Sequence, residues 1–450
     1  MHSVGRFGRT LITSISIAAA AFAYQLAASA ATCPGQTLSA PANTTISSET
    51  LVAANGALPE YCDVKGFVTT NSANGNQDQF ELALPDPASG ATGWNGRFLF
   101  LGNGGFAGSI QGVVTSGLAT LTGEYATAAT DAGHESPLNS LGLGVLDGSF
   151  GLNNLQAQQD FFYNGVHVTA QATQSLARQY YASPPKHRYF DGCSDGGHEA
   201  AVESQLYPRD FDGIIEGDPA IALGNILLGF NWNEAHVIAT ADSYISPSKI
   251  SGLLDPAITA ECDALDGVKD GLIQDPRLCS FNPATLQCPA SESESAADAD
   301  PTCLSAGQVA TLDAIYSGAA TSGGTQLYPG YTVSNPADGS PATGLSLWIV
   351  GETAPALGVS EPWGPVPTPP SFTSPVTGLE LAPAQWTFMD QSLKYLDFGN
   401  PSYDSTTFNL NDATDVQSVL NVADMQGSNG LDANLDPFRI NGGKLLMYHG

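Results

Sequence analysis

The segment from Phe190 to Ala200 reads FDGCSDGGHEA. Within it, Gly192-Cys193-Ser194-Asp195-Gly196 is a Gly-x-Ser-x-Gly pattern whose meaning depends on its flanks. With a strand before it and a helix after it, the serine is forced onto a sharp turn, and glycines two residues to either side leave room for the chain to fold back. The hydroxyl then projects above the sheet at a helix N-terminus. Without such flanks the same residues are an ordinary Gly/Ser turn. Here Tyr189-Phe190 ends an apolar strand and residues 196–206 read as a helix. The pattern therefore points to an α/β fold with Ser194 as candidate nucleophile and the backbone N–H of Asp195 as one oxyanion donor.

Other segments agree. RFLFLG (97–102), YATAAT (125–130) and GIIEG (213–217) read as strands. Residues 160–178 read as a helix, with Phe161, Val168, Ala172 and Leu176 on its apolar face. Strands alternating with helices imply a parallel sheet. From about residue 225 to 430 the text becomes turn-rich, as in SESESAADADP and PWGPVPTPPSFTSP, and reads as a partly irregular insertion. Residues 443–450 look like one more core strand. The organisation expected is 1–30 leader, 31–224 first part of the core, 225–430 inserted lid and 431–450 return to the core.

The leader has Arg6 and Arg9, an apolar run from Leu11 to Leu26 and a small-residue site at Ala28-Ser29-Ala30, the three parts of a signal peptide. A secreted or periplasmic protein is expected. The formal charge of −30, from 44 acidic and 14 basic residues, repels phosphate backbones and anionic membranes, so neither nucleic acid nor membrane is expected as a partner. In an oxidising compartment cysteines should pair, but there are seven, so one lacks a partner within this chain.

A second oxyanion donor should come from Gly102-Asn103-Gly104-Gly105-Phe106, where glycines let the N–H groups of Gly104 or Gly105 approach an anion. The same loop, with Ala107 and Glu124, matches a dinucleotide fingerprint. That reading is rejected, because the motif is common by chance and an exported protein rarely depends on a nucleotide cofactor. A base for Ser194 is harder to find. His2 is in the leader. His134, His167 and His187 precede the serine, whereas this kind of fold places its histidine after it. His198 points along its helix, His236 lies in the insertion and His449 is on the last strand. His134 and His167 are read as structural.

The sequence resembles the tannase and feruloyl esterase family. The resemblance rests on Gly192-Cys193-Ser194-Asp195-Gly196-Gly197, Gly102-Asn103-Gly104-Gly105, Thr130-Asp131-Ala132-Gly133-His134, the run from Phe211 to Ala220, Leu327-Tyr328-Pro329-Gly330 and the run from Gly443 to Gly450. It implies an α/β-hydrolase core with a large lid, and cleavage of phenolic-acid esters of feruloyl or galloyl type. It also implies a disulfide from the cysteine before the nucleophile to a cysteine beside the catalytic histidine. That histidine and the catalytic acid are expected beyond the strand matched by Tyr448-His449-Gly450, so the chain is expected to stop short of them. Cys193 is then the cysteine without a partner, and the others pair as Cys33–Cys62, Cys262–Cys279 and Cys288–Cys303. The rival reading is a non-catalytic calcium- or ligand-binding protein that has lost its triad.

The loop Cys262-Asp263-Ala264-Leu265-Asp266-Gly267-Val268-Lys269-Asp270-Gly271-Leu272 packs three carboxylates into eight positions, with two glycines. On spacing alone a solvated acidic turn is as good a reading as a metal site, and the spacing is not that of an EF-hand. The resemblance implies a structural lid Ca²⁺ held by the side chains of Asp263, Asp266 and Asp270 and the backbone oxygens of Val268 and Leu272. Lid segments near Trp348 and Trp386 are expected to recognise the aromatic acid.

Overall fold

A computed structural model describes residues 33, 37–56, 58–86, 93–110, 125–136, 144–291, 293–335, 344–364 and 382–449. The leader, Glu124, Gly450 and most of the Pro-rich run after Gly364 lie outside the described residues.

An eight-stranded sheet runs in the order β1-β2-β3-β5-β4-β6-β7-β8. Its strands are β1 (Thr44–Val52), β2 (Tyr61–Asn71), β3 (Asn76–Pro85), β4 (Arg97–Leu101), β5 (Tyr125–Thr130), β6 (His187–Cys193), β7 (Gly213–Gly217) and β8 (Lys444–Tyr448). From β5 to β8 all neighbours are parallel, as the alternation of strands and helices implies. The expectation of a wholly parallel sheet is corrected at one side, where β1, β2, β3 and β5 pair antiparallel. These strands were illegible because β1 is polar and largely solvated, and β3 buries Asn76, Asp78 and Glu81 at positions where an apolar residue would have marked a strand.

The helices used below are α1 (Gly165–Tyr180), α2 (Asp195–Gln205), α3 (Leu223–Val237), α4 (Ala306–Ser317), α5 (Ala384–Gln391) and α6 (Ala413–Ala423). The helix expected over 160–178 is α1, preceded by a π-helical turn over Asp160–Asn164. Helix α1 lays Val166, Ala170, Leu176 and Ala177 on the sheet over β3 and β5, in one core cluster with Phe80, Leu82, Ala126 and Ala128. That stripe follows the 3.6-residue period and excludes water from the core.

Between β7 and β8 no described residue joins the sheet. The insertion is more helical than its text suggests. It has its own apolar core of Val237, Ile250, Leu254, Leu312 and Ile315. A second cluster, from Phe106 and Phe161 through Leu227 and Phe230 to Trp386, Met389 and Val419, seals it against the sheet side. Three disulfides form, Cys33–Cys62, Cys262–Cys279 and Cys288–Cys303, and Cys193 is free and exposed. Among the described residues no helix is long and apolar enough to cross a membrane.

Candidate active site

Ser194 sits between β6 and α2 with φ 64° and ψ −115°, a left-handed conformation that is costly for a residue with a Cβ. The turn is held from both sides. Ser194 N–H donates to the Gly217 carbonyl at 3.0 Å, and its own carbonyl accepts from Ala220 N–H at 3.0 Å. The flanking glycines are required by close approach. A Cβ at Gly192 would lie 2.2 Å from the Gly196 oxygen, and one at Gly196 would lie 3.0 Å from the Asn103 oxygen. Although Ser194 is the N-cap residue of α2, its hydroxyl makes no capping hydrogen bond. The Oγ is therefore held at a helix N-terminus and is not spent on the helix, which is what an attacking oxygen requires.

Facing the elbow is the loop after β4. The Asn103 carbonyl accepts from Gly196 N–H at 2.9 Å, so loop and elbow are fastened backbone to backbone. Among the described residues the N–H groups of Gly104, Gly105 and Asp195 have no hydrogen-bond partner. Gly105 has φ 64° and Gly104 has open space where a side chain would be. Free donors on a fixed turn beside an exposed hydroxyl form the arrangement that can receive a developing oxyanion.

Sequence reasoning missed Glu199. Its Oε2 accepts from Asn103 N–H at 2.9 Å and its Oε1 accepts from Asn103 Nδ2 at 2.8 Å. Burial, with Asp195 nearby, raises its pKa to about 8, while the two Asn103 hydrogen bonds pull the other way. It clamps the glycine loop onto α2. The sequence carried no signal for it: α2 reads DGGHEAAVESQ, as a solvated polar helix would, and only the fold shows that every residue from Asp195 to Ser204 is buried.

The histidines divide as follows. His198 is fully buried and its Nε2 donates to the Ser428 carbonyl at 2.6 Å, which turns it away from Ser194. His134 stacks on Phe150 at 3.6 Å, and burial lowers its pKa to about 4, so the ring is neutral. His167 pairs with Asp210, and His236 bonds the Trp232 carbonyl. His187 opens β6, at the end opposite Ser194. His449 is exposed, 3.6 Å from Asp218. Among the described residues none bonds the Ser194 hydroxyl. Cys193 Sγ lies 3.8 Å from Asp218 Oδ2, so Cys193, Asp218 and His449 gather at the carboxyl ends of β6, β7 and β8, beside the serine.

The model of the family described as Tannase and feruloyl esterase matches residues 62–450. The chain belongs to the tannase and feruloyl esterase family. Membership makes it a carboxylic ester hydrolase of that type. It is 31% identical over 439 residues to an uncharacterized esterase of Xanthomonas campestris, covering 94% of this chain and 67% of the relative. It is 29% identical over 434 residues to a mono(2-hydroxyethyl) terephthalate hydrolase of Piscinibacter sakaiensis, covering 88% and 68%. The chain thus spans about two thirds of the length of these relatives. The crystal structure of feruloyl esterase B from Aspergillus oryzae superposes with a TM-score of 0.69 at 25% identity, covering 91% of this chain and 72% of that one. This likeness bears out the α/β-hydrolase fold.

In the lid segments near Trp348 and Trp386, Trp386 is 1% exposed and belongs to the packed seam between lid and core. Phe388, two residues on, places its ring 5.2 Å from Phe106 of the glycine loop and 6.4 Å from Trp348, parallel to the latter. Trp348 is 40% exposed. Aromatic faces therefore run from the loop that faces Ser194 out to the lid.

In the acidic loop, Asp263 Oδ1 accepts from the N–H groups of Asp270 and Gly271. Asp266 Oδ1 accepts from Val268 N–H, and Asp270 Oδ1 from Leu272 N–H. The Cys262–Cys279 bridge closes the loop. The donor set is oxygen only, which fits Ca²⁺, and each carboxylate commits its Oδ1 to the loop's own amides.

Proposed function

We propose that this esterase is an exported serine hydrolase that cleaves esters of phenolic acids through an acyl-enzyme on Ser194. The observation that carries the reading is the strained, uncapped serine between β6 and α2 with free N–H donors opposite it. Ser194 Oγ attacks the ester carbonyl. The carbonyl oxygen, as it gains charge, is held by the N–H of Asp195 and of Gly104 or Gly105. These donors lose nothing to reorganisation, because Glu199 and the Gly196–Asn103 bond already fix the loop. Ser194 gives up its proton to a general base, the ester C–O bond breaks and the alcohol leaves with that proton; water then hydrolyses the acyl-enzyme, releasing the aromatic acid and restoring the Ser194 hydroxyl.

An aromatic acyl group is supported from two sides. Phe388 and Trp348 offer flat apolar faces next to the glycine loop. The relatives are named for terephthalate and feruloyl esters. Export is supported by three disulfides and by the leader pattern. A Ca²⁺ held by Asp263, Asp266 and Asp270, with the carbonyls of Val268 and Leu272, belongs to the same proposal as a stabiliser of the lid; its oxygen donor set is the support.

The test uses the protein expressed from its complete reading frame, assayed on methyl ferulate, methyl gallate and an aliphatic ester of equal size. Ser194→Ala should lower kcat on the aromatic esters by about a thousandfold or more. Near-normal turnover in that variant would remove Ser194 from the mechanism, and equal turnover of the aliphatic ester would remove the aromatic specificity.

A further inference from the structure

Away from the elbow, His167 of α1, Glu203 of α2 and Asp210 of the loop before β7 converge. One ligand atom from each lies within 4.8 Å of the other two, the one such group of three among the described residues. Its geometry is fixed. His167 Nδ1 is 2.5 Å from Asp210 Oδ2, the Tyr207 ring stacks on the imidazole at 3.7 Å, and Gln174 Nε2 donates to the Asp210 carbonyl at 3.1 Å. Glu203 is 1% exposed, and neither of its carboxylate oxygens has a hydrogen-bond partner. A buried carboxyl left without a partner is rare and needs a counter-charge, a proton or an ion.

We propose that His167, Glu203 and Asp210 form a binding site for one divalent transition-metal ion of the Zn²⁺ class, which ties α1 to α2 and to the loop before β7. A neutral imidazole and two carboxylates carry two negative charges, which a dication cancels. Zinc takes nitrogen and oxygen ligands at about 2.0–2.2 Å, so tetrahedral ligand atoms stand roughly 3.4 Å apart. The three groups reach that spacing if the ion separates His167 from Asp210 and draws Glu203 inward. The side chains of His167 and Asp210 are 22% and 10% exposed, which gives the ion a path in and leaves room for water as a fourth ligand. Gln171 Nε2 lies 3.4 Å from His167 Nε2; with that side-chain amide turned over, its Oε1 would accept the Nε2–H of an imidazole ligating through Nδ1. Calcium does not suit the site, because it asks for six to eight oxygens.

The experiment uses the full chain freed of metal by chelator dialysis. Zn²⁺ is titrated by calorimetry, Co²⁺ by its visible absorption, and thermal unfolding is followed with each. Expected are one Zn²⁺ per chain, a raised midpoint, a tetrahedral Co²⁺ spectrum and no displacement by excess Ca²⁺. Glu203→Gln and His167→Asn should each weaken Zn²⁺ binding roughly tenfold or more. Absence of Zn²⁺ binding in the parent protein would overturn the proposal, as would unchanged affinity in either variant, which would place the ion elsewhere. Should Glu203→Gln fail to fold, the Co²⁺ spectrum of the parent and the affinity of His167→Asn decide. None of these readings depends on ester turnover, so the assignment of Ser194 stands or falls separately.

Discussion

At the residue scale, the site depends on side chains that hold the backbone. Glu199 fastens the glycine loop through both of its oxygens. Glu199→Ala leaves the half-buried Asn103 N–H and amide without their partner, at a cost of about 1 kcal/mol. It should also lower kcat more than it raises KM, since the donors it positions act on the transition state. A fall in stability with kcat unchanged would show that the loop holds its shape without the clamp. Cys193 is the second residue-scale case. It is exposed and unpaired while the other six cysteines are bridged. Thiol titration of the denatured, unreduced 450-residue chain should find one reactive group, and peptide mapping should place it at Cys193. Two or more thiols, or a bridge to Cys193, would contradict the pairing.

At the scale of elements, the acidic loop is the part most exposed to test. Cys262 and Cys279 are 17 residues apart, and closing a loop of that size contributes about 3 kcal/mol by restricting the unfolded chain. Cys262→Ser with Cys279→Ser should therefore lower stability by about 2–4 kcal/mol. If the loop also holds Ca²⁺, chelation lowers the thermal midpoint of the parent, and much less that of Asp263→Asn combined with Asp266→Asn. Equal midpoints with and without chelator, together with no calcium by elemental analysis, would reject the ion and leave the loop as a solvated acidic turn. Helix α2 shows why one element can be read only halfway. Its start was legible, because Gly-x-Ser-x-Gly demands a turn. Its burial was not, because the residues that cover it come from Gly102-Asn103 on one side and Ser428 on the other.

At the scale of the whole molecule, stability should rise on mild acidification. Burial raises Glu199 to about 8 and Asp397 and Glu216 to about 7. Each of these carboxyls ionises in the unfolded chain near pH 4 to 4.5, while the folded form keeps its proton up to pH 7 or 8. Across that window the folded state binds more protons, so stability falls as pH rises. His134, lowered to about 4, works the other way, but only below its ordinary value of 6.5. Between pH 6.5 and 8 the carboxyls act alone. Relief of the −30 net charge adds in the same direction. The thermal midpoint should be higher at pH 6 than at pH 8 at constant ionic strength, and Asp397→Asn should flatten the slope. A midpoint that climbs towards pH 8 would refute this account.

What the sequence by itself determined was the set of features that depend on neighbours along the chain. A strand, a glycine-flanked serine and a helix follow one another within about twenty residues, and local sterics leave such a run few conformations. The parallel strands and the turn at the glycine-flanked serine were legible on that basis. The parity of seven cysteines required an unpaired one, and the resemblance pointed to Cys193. Only the tertiary structure decided what depends on residues far apart. Glu199 clamps Asn103 across 96 positions, His198 is turned away by Ser428 across 230, and Phe388 reaches the glycine loop from the lid. The antiparallel side of the sheet, and the buried meeting of His167, Glu203 and Asp210, belong to the same class. A carboxylate in a sequence carries no mark of whether it will face water. Its partner, its pKa and its use are set by the surfaces that packing brings against it.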